Sequence, residues 1–212
     1  DQIIKQSGVE ITIAALAQLG YDAEFADMAI RLLFNLTYSV NNLNRIINAG
    51  LAQSVMTALR GLMENTSVVT IGLRCIYNLC YSDDVAVKLA QAGPIEFVLS
   101  LIHHQLSNTT PNGTIISEGL LCLSALSRNE ANALSMAANA LQLCIKIFNV
   151  VTTSLVLQNV SRFLANLFVH AAPAISAIET TLVPTILQTA TNEIENVEYL
   201  LVGVKPLENM AY

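Results

Sequence analysis

One pattern returns along almost the whole chain and constrains its fold more than any other feature. Gly8-Val9-Glu10-Ile11-Thr12-Ile13-Ala14-Ala15-Leu16 aligns with Gly50-Leu51-Ala52-Gln53-Ser54-Val55-Met56-Thr57-Ala58-Leu59. Gly93-Pro94-Ile95-Glu96-Phe97, Asn139-Ala140-Leu141-Gln142-Leu143 and the weaker Thr181-Leu182-Val183-Pro184 follow, at steps of 42, 43, 46 and 42 residues. A second landmark keeps phase with the first: Phe34-Asn35-Leu36, Tyr77-Asn78-Leu79, Ser124-Ala125-Leu126, Ala165-Asn166-Leu167, then Val202-Gly203-Val204. The one long step contains Leu106 to Thr114, a stretch of loop composition that absorbs the extra residues. A period in this range marks an array in which each copy is one supersecondary unit.

Each copy reads as three helices. A short one precedes the glycine: Asn41 to Asn48, Asp84 to Gln91, Asn129 to Ala137 and Ala172 to Ile178, with Asp83 or Asp84 and Asn129 as N-caps. A sharp corner follows at Gly50 and Gly93, where glycine accepts positive φ without steric cost. Asn139 is the substitute in the fourth copy. Pro94 suits a first helical position. A second helix comes next, and then a longer, more apolar third: Phe25 to Tyr38, Val68 to Tyr81, Ile115 to Ser127 and Leu155 to His170. Ile71, Cys75, Ile76 and Leu79 keep the i, i+3, i+4 pattern of a helix face.

A helix–corner–helix–helix unit of this length, with Asn-Leu near the end of the third helix, resembles the armadillo repeat. The resemblance covers the whole chain in five degenerate units, about 1–38, 39–81, 82–128, 129–170 and 171–212. It implies an all-α fold, a right-handed α-solenoid in which units stack because none buries its own apolar face. A two-helix HEAT-type repeat is the nearest rival, but lacks the glycine corner. The first helix is entered at Asp1 and the last is interrupted by Pro206, so both ends of the array read as open, as in a piece of a longer one.

Composition narrows the function. The chain is 53% apolar and only 12% charged, with a net charge of −6. That excludes a disordered chain and argues against nucleic acid, whose binders carry a basic footprint. No uninterrupted apolar run is long enough to cross a bilayer. Cys75, Cys80, Cys122 and Cys144 sit inside apolar runs without C-x-x-C spacing, and three histidines supply no zinc set. Buried reduced thiols point to the cytoplasm, with the nucleus also open to such a chain. Five N-x-[ST] sequons, at Asn35, Asn65, Asn108, Asn112 and Asn159, leave a secreted protein as the alternative. There is no phosphate-binding Gly-rich loop, H-E-x-x-H or G-x-S-x-G, so no enzyme and no cofactor are expected. His103-His104 reads as surface histidine.

The informative residues lie on the third helices. The armadillo resemblance implies that these line a concave groove, and that their asparagines bond the backbone of an extended peptide. Here they are Asn35, Asn78 and Asn166, interrupted by Ala125 and Gly203. One turn earlier stand Arg31, Arg74 and Arg162, half of the six arginines of the chain. An i, i+4 pair shares a helix face. The third unit breaks both positions together, with Leu121 and Ala125. Tyr38 and Tyr81 follow in the first two units, and His170 in the fourth. With no tryptophan, the groove departs from the import-receptor pattern W-x-x-x-N. It resembles the basic groove of β-catenin-like relatives, which implies an acidic or phosphorylated extended partner held bidentately by guanidinium.

A structural account of the same residues stands beside this one. Arg31 can pair with Asp27 four residues earlier, Arg74 and Arg162 with neighbouring units, and the asparagines can bridge adjacent helices. The alternative function is a scaffold subunit of a cytoskeletal or ciliary assembly, docked through apolar outer helices. The partner and the oligomeric state are not set by the sequence.

Overall fold

The computed structural model describes residues 8–80, 83–151 and 153–176. The described residues form ten helices and no strand: α1 Gly8–Leu19, α2 Ala23–Leu36, α3 Val40–Asn48, α4 Leu51–Gly61, α5 Thr66–Leu79, α6 Asp83–Ala90, α7 Pro94–Ser107, α8 Gly113–Leu126, α9 Glu130–Val150 and α10 Ser154–Ser176. The chain divides into two compact units, Asp1–Phe97 and Val98–Tyr212, with the division inside α7.

Asx caps set the starts of the long third helices. Asp22 accepts from Phe25 N at 2.9 Å, Asn65 from Val68 N at 3.1 Å, and Asn112 from Thr114 N and Ile115 N at 3.1 and 3.3 Å. Each satisfies donors that the first helical turn leaves unpaired, for about 1 kcal/mol apiece. Two of these caps, Asn65 and Asn112, are sequon asparagines, so those matches have a folding explanation. Asn129 caps α9 as expected, accepting from Asn132 N at 3.2 Å.

Two corners form as read from the sequence. Gly50 has φ 85° and Gly93 φ 78°, both left-handed. At Gly93 a Cβ would also stand 2.8 Å from Arg60 Nη2, which donates to Ala92 O. Pro94 opens α7.

The Asn139 corner is not formed. The helix runs unbroken from Glu130 to Val150, so the separate short helix ending at Ala137 is a correction to the sequence reading. The reason is local. Asn139 stands among Ala137, Ala138 and Ala140, the best helix formers, and no glycine offers a cheap left-handed turn. Ala137 and Ala140 are buried. The fused helix is also long and apolar enough to cross a membrane by length and composition, which the sequence reading did not foresee; half of that window is buried inside the fold. In α10 the expected break does occur. Ala171 leaves helical geometry at φ −124°, ψ 20°, two residues before Pro173, whose missing N–H removes one rung of the ladder at the kink; the helix runs on to Ser176. The expected second and third helices of the fifth copy lie outside the described residues.

In the first unit α1 packs on α2 and α4, and α2 on α5. Ile30, Leu33, Leu59, Leu73, Ile76 and Leu79 have essentially no exposed surface. A bidentate pair ties α3 to α1: Arg45 donates to Glu10 through Nε at 2.5 Å and Nη2 at 2.9 Å. In the second unit α10 packs on both α8 and α9, around Phe163, Leu164, Leu167 and Ile147.

Candidate partner-binding surface

In the first unit, α2 and α5 carry the two R-x-x-x-N copies side by side. Arg31 donates through Nε to Asp27 Oδ2 at 2.5 Å and through Nη2 to Asp27 Oδ1 at 3.1 Å. The same Nη2 reaches Ser67 Oγ at 3.0 Å, on the first turn of α5, and Ser67 Oγ donates to Asp27 Oδ1 at 2.6 Å. One arginine, one carboxylate and one hydroxyl thus join two successive third helices. The guanidinium holds the Asp27 carboxyl below its usual range, and the carboxylate pushes Arg31 up in return. The charge of Arg74 opposes that rise, so the two guanidinium groups share one electrostatic neighbourhood. The Arg31 side chain remains 52% exposed despite its pairing, and Arg74 is exposed too.

The asparagines divide. Asn78 is half-buried and its Nδ2 donates to Thr37 Oγ1 of the preceding repeat at 3.2 Å. Asn35 is exposed, and its side chain bonds nothing among the described residues. Tyr38 falls two residues beyond the end of α2, not within it. It is 70% exposed, its ring edge-on to Phe34 at 5.2 Å and 77°. Tyr81 lies outside the described residues.

The second unit holds the third copy, on α10. Arg162 is exposed and has no partner among the described residues. Asn166 is half-buried and donates through Nδ2 to Ser124 O at 2.8 Å and Ser124 Oγ at 3.1 Å. One turn further lies half-buried His170, next to the kink at Ala171. In the broken third repeat Leu121 is half-buried and Ala125 buried.

Some structural residues escaped the sequence reading. Asn159, seven residues before Asn166, is buried and donates to Ser117 Oγ at 2.7 Å. The spacing of seven was available as a signal. Gly72 and Gly119 occupy the same phase, two residues before Arg74 and Leu121. A Cβ at Gly72 would stand 2.6 Å from Leu59 Cδ2, and one at Gly119 2.9 Å from Ile102 Cδ1. These glycines let a third helix close onto a second.

Other chemistry is sparse. All four thiols are buried, and burial pushes those of Cys75 and Cys144 up to about 12. Burial, aided by the charge of Lys146, lowers His103. Among the described residues no three His, Cys, Asp or Glu side chains converge as metal ligands.

Capped third helices in phase, left-handed glycine corners and, within each unit, an amide bridge between successive repeats define an all-α solenoid of armadillo type. The family model of the GAC ARM domain matches residues 1–110, just over half of the chain, and the chain belongs to that family. Among solved structures, the crystal structure of an engineered protein from the Northeast Structural Genomics Consortium is similar, with a TM-score of 0.76 at 18% identity. The match covers 94% of this chain and 78% of that one. At that identity the likeness is one of fold. No curated protein matches the sequence.

Proposed function

We propose that this protein-interaction module binds an extended acidic or phosphorylated segment along its third helices, with no catalysis of its own. The observation that carries this is the juxtaposition of Arg31 and Arg74 on adjacent third helices, both exposed and within each other's field. Exposed guanidinium groups hold carboxylate or phosphate in paired hydrogen bonds. Tyr38 adds flat apolar contact with a hydroxyl at the edge. Asn35 keeps its whole amide for a peptide backbone. Asn78 spends one N–H on Thr37 and retains its carbonyl and second N–H. Arg162, Asn166 and His170 form a separate subsite on α10. A chain whose thiols are all free and buried suits the cytoplasm, where we place it.

The test is fluorescence anisotropy with three labelled dodecapeptides, one Asp/Glu-rich, one carrying phosphoserines and one Lys-rich. The first two are expected to bind, more weakly as salt rises, and at least tenfold more weakly to Arg31→Ala/Arg74→Ala. Equal affinity for all three, or no change in the double variant, would overturn the reading. The scaffold reading draws on exposed Ile11 and Leu19 of α1, Val87 of α6 and Leu134 of α9. It needs binding that survives high salt and is lost on Ile11→Asp.

A further inference from the structure

The seat between α2 and α5 can be read position by position. On α5, Ser67 and Asn78 both bond α2 or the turn after it: Ser67 to Asp27 and Arg31, Asn78 to Thr37. They stand eleven residues apart, about three turns, and therefore on one side of the helix. Ile71 lies between them on that side and Cys75 borders it. Both are buried, at 4% and 0% exposure.

The two helices are in register from their caps onward, Asp22 with Asn65. A shift of 43 residues therefore carries this stripe onto α2 as Glu24, Met28, Leu32 and Asn35. All four are exposed there. Met28 is 58% and Leu32 36% exposed, and neither Glu24 nor Asn35 has a partner among the described residues. The positions that seat α5 on α2 are thus repeated on the outer side of α2, uncovered. Two large apolar side chains side by side, flanked by an amide and a carboxylate, are what an inter-repeat contact looks like without its other half.

We infer that this outer stripe of α2 is a docking surface for one further armadillo-type unit, stacked on α2 as α2 stacks on α5. The stripe also specifies that unit's chemistry. Ser67 is where the preceding arginine lands, and its counterpart is the carboxylate Glu24. The incoming third helix therefore carries a basic residue at the place Arg31 holds on α2. Past its end it carries a hydroxyl where Thr37 stands, to accept from Asn35. Met28 and Leu32 receive its apolar face. The surface is continuous with an interface the fold already uses, and it shares only Asn35 with the peptide reading: as at Asn78, one N–H goes to the hydroxyl and the carbonyl and second N–H stay for a peptide.

The test extends the full chain with a duplicate of its own residues 9–50, inserted before Val9 so that a Gly50 corner precedes it. This supplies a unit with Arg31 and Thr37 in register. The duplicate is expected to raise Tm by more than about 2 °C, since nearest-neighbour contacts add stability in repeat arrays. Met28→Glu/Leu32→Glu in the acceptor copy is expected to abolish that gain. The same pair in the unextended chain, where both side chains face solvent, should leave Tm unchanged and so controls for folding. An extended chain with no gain, or a gain that survives the charged pair, overturns the inference. So does sedimentation of the unextended chain as a dimer that the charged pair dissolves, since a second copy would then be the occupant.

Discussion

Two pairs of third helices in this chain are built on one repeat phase and held together differently. Between α2 and α5 the bridge is charged and half in water: Arg31, Asp27 and Ser67, with Asn78 on Thr37. Between α8 and α10 it is neutral and mostly buried: Asn159 on Ser117 and Asn166 on Ser124, each pair seven residues along its helix. The first arrangement keeps its guanidinium groups exposed, with Arg31 tied to Asp27 and Ser67. The second consumes its amides to fix helix register and leaves only Arg162 outside. The same phase of the repeat can therefore be bridged by a charged pair at the surface or by mostly buried amides. What decides is whether the preceding repeat offers a charge or a serine.

The largest expected difference comes from residues at one phase and opposite burial. Phe163 is fully buried on α10, and its counterpart on α2 is Leu32, 36% exposed. Phe163→Ala should cost about 3–5 kcal/mol, as truncations that leave a cavity do. Leu32→Ala should cost no more than about 0.5 kcal/mol. Urea unfolding of each variant reads both values. A comparable loss at Leu32 would mean that α2 is covered in solution.

Next come the interior glycines. Alanine gains about 1 kcal/mol over glycine in a helix, but overpacking costs about 1–3 kcal/mol. At Gly72 the added Cβ meets Leu59 Cδ2 at 2.6 Å and Cγ at 3.0 Å, so the whole fork must move. At Gly119 it meets Ile102 Cδ1 at 2.9 Å and Cγ1 at 3.1 Å, and Val98 Cγ1 at 3.2 Å, its nearest approach less close than at Gly72. Gly72→Ala should therefore destabilise by about 1–2 kcal/mol and Gly119→Ala by less. Calorimetry giving the reverse order would break the argument.

These glycines also mark where the sequence stopped being legible. Third helices, glycine corners and the armadillo class were readable because caps, φ requirements and apolar spacing are local. Which helix a glycine admits is not local, since Gly72 looks like a mere cost until Leu59 is placed against it. The fourth corner failed for a related reason. Asn139 was read from its place in the period, while its alanine neighbours decided in favour of helix. At the candidate surface, the Arg31–Asp27 pair was visible as i, i+4. Ser67 and Thr37 were not, because the groups they bond lie about forty residues away.

A smaller effect separates the amides. Removing a buried amide strands its partner, at about 1–3 kcal/mol, whereas a half-exposed hydrogen bond is worth about 0.5–1.5 kcal/mol. Asn159→Ala should therefore cost more than Asn78→Ala. The loss at Asn159 should shrink when Ser117→Ala removes the partner hydroxyl too, leaving only the backbone carbonyl. Equal single-variant losses, read by thermal unfolding, would show that water reaches Asn159.

The smallest expected effect on stability concerns Asp27. The pair is partly exposed, and such pairs contribute at most about 0.2–1 kcal/mol. The sign of its pH dependence is fixed, because Arg31 holds the folded carboxyl below its usual value. The contribution is present above the unfolded carboxyl's pKa of about 4 and fades as pH falls through the lower folded value. Asp27→Asn should flatten that part of the acid limb and leave stability at pH 7 within about 0.5 kcal/mol. The same change frees Arg31, because no carboxylate then competes with a ligand for its Nε and Nη2. Acidic and phosphorylated peptides should bind Asp27→Asn more tightly than the wild type, and more so at low salt. Arg162 on α10 offers the reference, since among the described residues no carboxylate pairs with it, and Arg162→Ala should show no acid-limb change. Weaker peptide binding to Asp27→Asn would mean that Asp27 positions Arg31 for its ligand instead of holding it back.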